Sequence, residues 1–290
     1  MRMSALQVRK QARFSVDTAA IAEAARASLI EELETWPKPG LVSHVDCGAH
    51  NDMDADTLRR SVAAITPYFE ALAQAGAQGS GMGRLRVIGL EAEADMLRAT
   101  GNVNAHRGTI FGMGLLCAAA GRRAIGMTRP SEPLGRVVAC TWGTDIIDGP
   151  VLLHSHGQRA RLHYGAGGAR QQAAAGFPCA YEIGLPALAE GERLSQGDTE
   201  AARVHATFAL ISVLEDTNLL HRGGPAGLSF AQGAAAEFLK YGGIGRPDWL
   251  AAAAAVHAAF TARRLSPGGA ADLLAMSLFL RRMERPACIS

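Results

Sequence analysis

Three carboxylates, Asp46, Asp52 and Asp54, fall within nine residues of one another, just after the segment Glu34-Thr-Trp-Pro-Lys-Pro-Gly40. Two prolines and a glycine hold that segment to a stiff, non-helical path. Hard oxygen ligands at such spacing suit Mg²⁺. Asp54 and Asp56 equally suit the N-cap of a following helix, and for Asp56 capping is the reading adopted. A second acidic pair, Glu91 and Asp95, stands four residues apart in Gly89-Leu-Glu-Ala-Glu-Ala-Asp-Met96. At that spacing the two are helix neighbours, so either they share a cation or they lie on a solvated face with Arg98 as partner. Leu90, Ala94 and Leu97 are expected to form the core stripe of this helix.

Anion chemistry has its own candidates. The loop Gly101-Asn-Val-Asn-Ala-His-Arg-Gly108 leads into a stretch that is apolar on every side, which is the mark of a buried helix. The N-terminus of such a helix presents free N–H groups and a partial positive charge, and His106 and Arg107 add to it. A loop held by its asparagines is the alternative. Further on, His154-Ser-His-Gly-Gln158, Arg161 and Tyr164-Gly-Ala-Gly-Gly-Ala-Arg170 combine close backbone approach at glycine with guanidinium forks that fit phosphate. His154 and His156 lack a third ligand at zinc spacing. Last, Ala201, Val204, Phe208 and Ile211 lead along one helical face to Glu215, followed by Asp216, Asn218 and Arg222. A carboxylate at the end of an apolar stripe needs a partner, a metal or a proton. Pairing with an arginine is the structural alternative to catalysis or metal binding.

Helices must position these groups. Apolar residues recur every three to four positions over 17–34, 56–75, 85–99, 108–120, 199–219, 227–241, 247–263 and 269–282. Aromatics are only 6% and no alternating β-branched run occurs. The fold class is therefore all-α, expected as one domain over residues 1–290, with 1–15 as a flexible arm. A soft division is placed near 122–133. Glycines and prolines collect between the helices, where functional groups sit on a rigid scaffold.

The 290 residues carry 48% hydrophobic side chains and a net charge of +2. Near-neutrality argues against a nucleic-acid surface. No stretch approaches the roughly 18 apolar residues of a membrane helix. The basic N-terminus has no apolar block behind it, so no secretory signal is read. Five scattered cysteines without a C-x-x-C pair fit reduced thiols and a cytoplasmic location. P-loop, dinucleotide-fold and serine-hydrolase signatures are absent. Residues alone thus lead to a helical enzyme that handles a phosphorylated ligand with Mg²⁺.

Trp36-Pro-Lys-Pro-Gly-Leu-Val42, His50-Asn-Asp-Met-Asp54, Gly89–Met96, Asn104-Ala-His-Arg-Gly108, Ser155-His-Gly-Gln158, Glu215-Asp-Thr-Asn218 and Ser266-Pro-Gly-Gly269 together resemble the motifs of the triphosphoribosyl-dephospho-CoA synthase family. Each motif is weak alone, but their order over residues 30 to 280 is specific. Ser43-His-Val-Asp46 and Pro67-Tyr-Phe69 are more similar to the malonate decarboxylase branch than to the citrate lyase branch. Cys47, Asn102 and Ala105 depart from the usual serine, glycine and threonine, without removing a charge.

The resemblance implies an all-α enzyme that joins ATP to 3′-dephospho-CoA and releases adenine. Its product is the precursor of a prosthetic group, which a transferase would attach to an acyl carrier protein. On that reaction, Asp52, Asp54, Glu91 and Asp95 are expected to hold Mg²⁺, with Lys38 and Arg107 on the triphosphate. Glu215 is expected as general base, its pKa raised by apolar surroundings, with Asp216 as alternative base or metal ligand. His106 is the expected donor to adenine. Arg161, Arg170 and Arg222 would hold the dephospho-CoA pyrophosphate. His50, Asn104, His156, Gln158 and Asn218 complete the substrate-binding set. Two other classes use the same residues: a Mg²⁺-dependent nucleosidase or nucleotide hydrolase, and a non-catalytic nucleotide-binding protein. A homodimer is compatible with the sequence, which names no surface for it.

Overall fold

The computed structural model describes residues 17–150 and 167–284. The expected N-terminal arm, and with it His154, His156, Gln158 and Arg161, lies outside the described residues. Eleven α-helices follow in order: α1 Thr18–Leu33, α2 Ala55–Ala77, α3 Met82–Thr100, α4 Arg107–Ala124, α5 Leu134–Asp148, α6 Gly168–Ala174, α7 Leu185–Leu194, α8 Thr199–Val213, α9 Thr217–Lys240, α10 Trp249–Ala262 and α11 Gly268–Glu284. A π turn precedes α7 and a 3₁₀ turn precedes α10. No strand occurs among the described residues, so the all-α class holds.

α4 is central, as an all-round apolar helix must be. Residues Gly112 to Gly121 are buried without interruption. It packs against α2, α5 and α11. A Cβ at Gly76 of α2 would overlap the Ala118 carbonyl of α4, and one at Gly121 would overlap the Ala73 carbonyl. Small residues thus let the two backbones touch. α11 in turn packs on α1, α4 and α8, and one apolar core runs from Ile21 to Leu280. No helix among the described residues is long and apolar enough to cross a membrane. The cysteines among them are free.

The expected helix over 199–219 is in fact two. α8 ends at Val213, Leu214 is extended, and Asp216 caps a new helix. The Asp216 side chain accepts from the amides of Asn218 and Leu219, which replaces the continuing helical bonds. That second helix runs further upstream than the expected 227–241 and kinks at Gly224, where φ is 60° and Pro225 follows. α5 was not expected at all. Its Val137, Val138, Thr141, Ile146 and Ile147 are poor helix formers, and packing of Leu134, Val138, Trp142 and Ile146 against the core overrides that weakness.

Candidate active site

The helices enclose a cavity of about 1100 Å³. Three helix N-termini open on it: those of α4, α9 and α11. They are not equivalent. Asp216 serves two of them. Its Oδ1 accepts from the Asn218 and Leu219 amides of α9 at 2.8 and 3.3 Å, and its Oδ2 accepts from Ala270 of α11 at 3.1 Å. The carboxylate is buried, which pushes its pKa up, while the amides pull it back.

α4 is different. Its N-cap is His106, which makes no side-chain cap bond. The Asn104 side chain accepts from the Arg107 amide at 3.2 Å, and the Met96 sulfur takes the His106 amide. The Gly108 and Thr109 amides have no partner among the described residues. Two free donors therefore face the cavity, where an anion is favoured. Arg107 stands beside them, its Nε 2.5 Å from Glu93 Oε1.

His106 is buried, with Nδ1 2.6 Å from Ser61 Oγ. Burial, and then the positive charge of Lys38, push its pKa down to about 4. At neutral pH it is therefore an uncharged imidazole. The tautomer in which Ser61 donates to Nδ1 carries its proton on Nε2, which can then donate.

At the other side of the cavity, His50 links three segments. Its Nδ1 is 3.2 Å from Asp52 Oδ1, its Nε2 is 2.8 Å from Ser266 Oγ, and the Arg222 guanidinium faces its ring. Arg222 also donates to the carbonyls of Ala49 and Arg264. Burial, then Arg222, lower the His50 pKa. Asp52, Asn104, Arg107, Asn218 and Arg222 all line the cavity, as expected for ligand-facing groups.

Other expected residues take different places. The four carboxylates assigned to Mg²⁺ do not converge, and no cluster of three His, Cys, Asp or Glu side chains able to hold a metal occurs among the described residues. Asp54 caps α2, accepting from the Thr57 amide and hydroxyl at 2.8 and 2.7 Å. Asp95 takes the Tyr68 hydroxyl at 2.5 Å and pairs with Arg98. Glu91 is exposed. The reason is a rotated helix. Leu85, Ile88, Ala92 and Met96 form the buried stripe of α3, while Leu90 is 51% exposed. That rotation turns Glu93, not Glu91 or Asp95, into the cavity.

Lys38 is fully buried and its ammonium is consumed by Glu32, whose carboxylate and carbonyl both accept from it. Burial lowers its pKa. The Trp36–Gly40 segment is a scaffold: His257 bridges the Lys38 carbonyl at 2.6 Å and Asp46 at 3.0 Å, and the Trp36 indole donates to Asp46 at 3.1 Å. Arg170 lines the cavity, yet its guanidinium donates to the carbonyls of Ile146, Ile147, Gly149 and Pro150, closing the C-terminal end of α5. Glu215 lines the cavity but is exposed, because α8 ends before it, so the expected apolar surroundings are missing. The buried carboxylate of that pair is Asp216.

Sequence reading missed Glu93, Glu32, Thr109 and Asp272, all in the cavity wall. Asp272 had a visible signal: a lone acid near the start of an otherwise apolar helix.

A family model described as ATP:dephospho-CoA triphosphoribosyl transferase matches residues 18–289. The chain belongs to this family. Among similar proteins, one from Acinetobacter calcoaceticus is 36% identical over 90% of this chain and 89% of its own length. Another, from Stutzerimonas stutzeri (strain A1501), is 38% identical over 92% of each. Both are named "Probable 2-(5''-triphosphoribosyl)-3'-dephosphocoenzyme-A synthase". A relative from Escherichia fergusonii, 37% identical over 91% of each chain, bears the same name without the qualifier. No solved structure matches.

Proposed function

We propose that this transferase moves the triphosphoribosyl group of ATP onto the 2′-hydroxyl of 3′-dephospho-CoA and releases adenine. One observation carries the reading: the N-terminus of α4, with the Gly108 and Thr109 amides unpaired among the described residues and Arg107 beside them, opens into a cavity of about 1100 Å³. Single-ligand pockets hold about 300–1,000 Å³, and here two nucleotides must meet.

In this reading the Gly108 and Thr109 amides and Arg107 bind the triphosphate. Mg²⁺ enters with ATP, held mainly by phosphate oxygens, and Asp52 is the carboxylate of the expected set that still faces the cavity. The 2′-hydroxyl attacks C1 of the ATP ribose with oxocarbenium character. Direct displacement inverts that centre, with acid and base on opposite faces. Glu215 accepts the hydroxyl proton. His106, held neutral, donates a hydrogen bond to the adenine ring. Asn104, Asn218 and the His50–Arg222 group position the substrates.

The product then serves an acyl carrier protein prosthetic-group transferase in the cytoplasm. The carrier is that of malonate decarboxylase, on the strength of Ser43–Asp46 and Pro67–Phe69. The deciding experiment incubates protein, ATP and Mg²⁺ with and without 3′-dephospho-CoA and separates products chromatographically. Adenine that appears only with dephospho-CoA, matched by a heavier CoA product, is expected. Adenine in both tubes means hydrolysis, and ADP or AMP means phosphate chemistry; either sinks the proposal.

A further inference from the structure

Asp272 stands in the second turn of α11 and reaches the cavity wall. Its Oδ1 meets the Thr109 hydroxyl. Its Oδ2 lies over Gly108, where any Cβ would overlap it. Both contacts are to the first turn of α4, at the two residues, Gly108 and Thr109, whose amides have no partner among the described residues. The carboxyl group lies deep in the molecule but keeps part of its surface open to the cavity.

Of the other acids of the wall, Glu215 is exposed and the remaining four are engaged. Glu32 holds Lys38, Asp216 holds three amides, Glu93 holds Arg107, and Asp52 faces His50. Asp272 Oδ2 has no donor among the described residues. Burial, and the negative charges of Glu32 from α1 and Asp216 from the α8–α9 turn, push its carboxyl up to about 7, against the Thr109 hydroxyl, which pulls it down. In the first turn of α4 the charged group is Arg107, which pairs with Glu93, and the N-cap His106 is neutral. At the far end of α11 the ionisable groups pair elsewhere, Arg281 with Glu192, Arg282 with Glu31 and Tyr181 with Glu284.

A departing adenine must gain a proton to leave as a neutral base. Neutral His106 can offer a hydrogen bond but has no surplus proton. We infer that Asp272 is the proton donor to the departing adenine, an assignment that rests on the transfer reaction proposed above. The bond from C1 to the adenine nitrogen breaks as the bond from the attacking oxygen to C1 forms. The electron pair of the broken bond stays with adenine, and a ring nitrogen takes the Asp272 proton. The hydroxyl proton passes to Glu215. After product release, water returns a proton to Asp272 and removes one from Glu215, so the net transfer is from the hydroxyl to adenine.

The test compares ATP with N7-methyl-ATP, whose purine leaves without a proton, after subtraction of uncatalysed depurination. With Asp272→Asn, kcat on ATP should fall about 100-fold or more, the size of a general-acid contribution, and kcat on N7-methyl-ATP should stay within about threefold of wild type. Equal losses on both substrates, or full activity on ATP, would overturn the assignment. The wild-type enzyme gives a second measurement that needs no variant. Its kcat on ATP should decline as pH rises through the Asp272 titration, and the decline should vanish with N7-methyl-ATP. A decline common to both substrates would overturn the assignment as well. If wild-type protein releases no adenine with dephospho-CoA, the transfer reaction itself fails and this assignment with it; normal release with an unaffected D272N fails the assignment alone.

Discussion

Asp216 Oδ2 accepts the amide of Ala270, 54 residues away, at 3.1 Å, while Oδ1 of the same carboxylate starts α9. One side chain thus fixes the relative place of two helix N-termini at the cavity. Asp216→Ala removes both caps, and a loss of about 1–3 kcal/mol is expected, at the typical cost of a cap apiece. Asp216→Asn keeps one acceptor oxygen and should lose less. Urea unfolding of the two variants measures the order, and equal stability of D216A and wild type would count against the double cap.

Lys38 and Glu32 form a pair with no exposed ammonium surface. Lys38→Met leaves the Glu32 charge uncompensated and is expected to cost about 3–5 kcal/mol. The double variant K38M/E32Q should recover a substantial part of that loss, because no lone charge remains. A thermodynamic cycle from denaturant unfolding reads the coupling; simple additivity would contradict the buried pair.

Gly108 and Asp272 allow a steric cycle. Gly108→Ala places a methyl group against Asp272 Oδ2, and a penalty of about 1–3 kcal/mol is expected from the overlap. In an Asp272→Ser background the same change should cost clearly less. Stability of the four proteins, measured by denaturant unfolding, is the check.

The same carboxyl predicts a pH dependence of stability. Its ordinary value is 3.8 and its folded value about 7, so between these the folded state binds more protons than the unfolded state. Stability from this group is therefore full below about 3.8 and declines as pH rises toward 7. Asp272→Asn removes the titration, so its Tm relative to wild type should climb from pH 4 to pH 7. His106 has the opposite sign. Its pKa falls from 6.5 to about 4, so its contribution is present above 6.5 and is lost as pH falls toward 4. His106→Gln should lose that acid sensitivity. A flat Tm difference over this range would contradict either shift.

Arg107 is the cationic side chain next to the free α4 amides. Arg107→Ala should raise KM for ATP about tenfold or more, as expected for losing a charge-assisted contact of roughly 1.5–3 kcal/mol. Steady-state kinetics with ATP varied at saturating dephospho-CoA provide the measurement. An unchanged KM would remove Arg107 from the triphosphate site.

The sequence by itself determined the helical class and the burial of α4, because apolar periodicity and an all-round apolar helix depend only on local order. It pointed the loop before α4 inward for the same reason: a charged loop entering a buried helix must face the interior, and Asn104 to Gly108 do line the cavity. The family, too, was legible in ordered motifs. Tertiary structure decided which acids face the cavity. A helix advances about 100° per residue, so a small error in the buried stripe of α3 exchanged Glu91 and Asp95 for Glu93. It decided that Lys38 is a buried counterion, since Glu32 reaches it only when α1 and the Trp36–Gly40 loop fold together. It also decided the surroundings of Asp272, where Thr109, Glu32 and Asp216 come together from three distant segments. Periodicity is a property of neighbours along the chain, whereas desolvation and charge coupling are properties of neighbours in space.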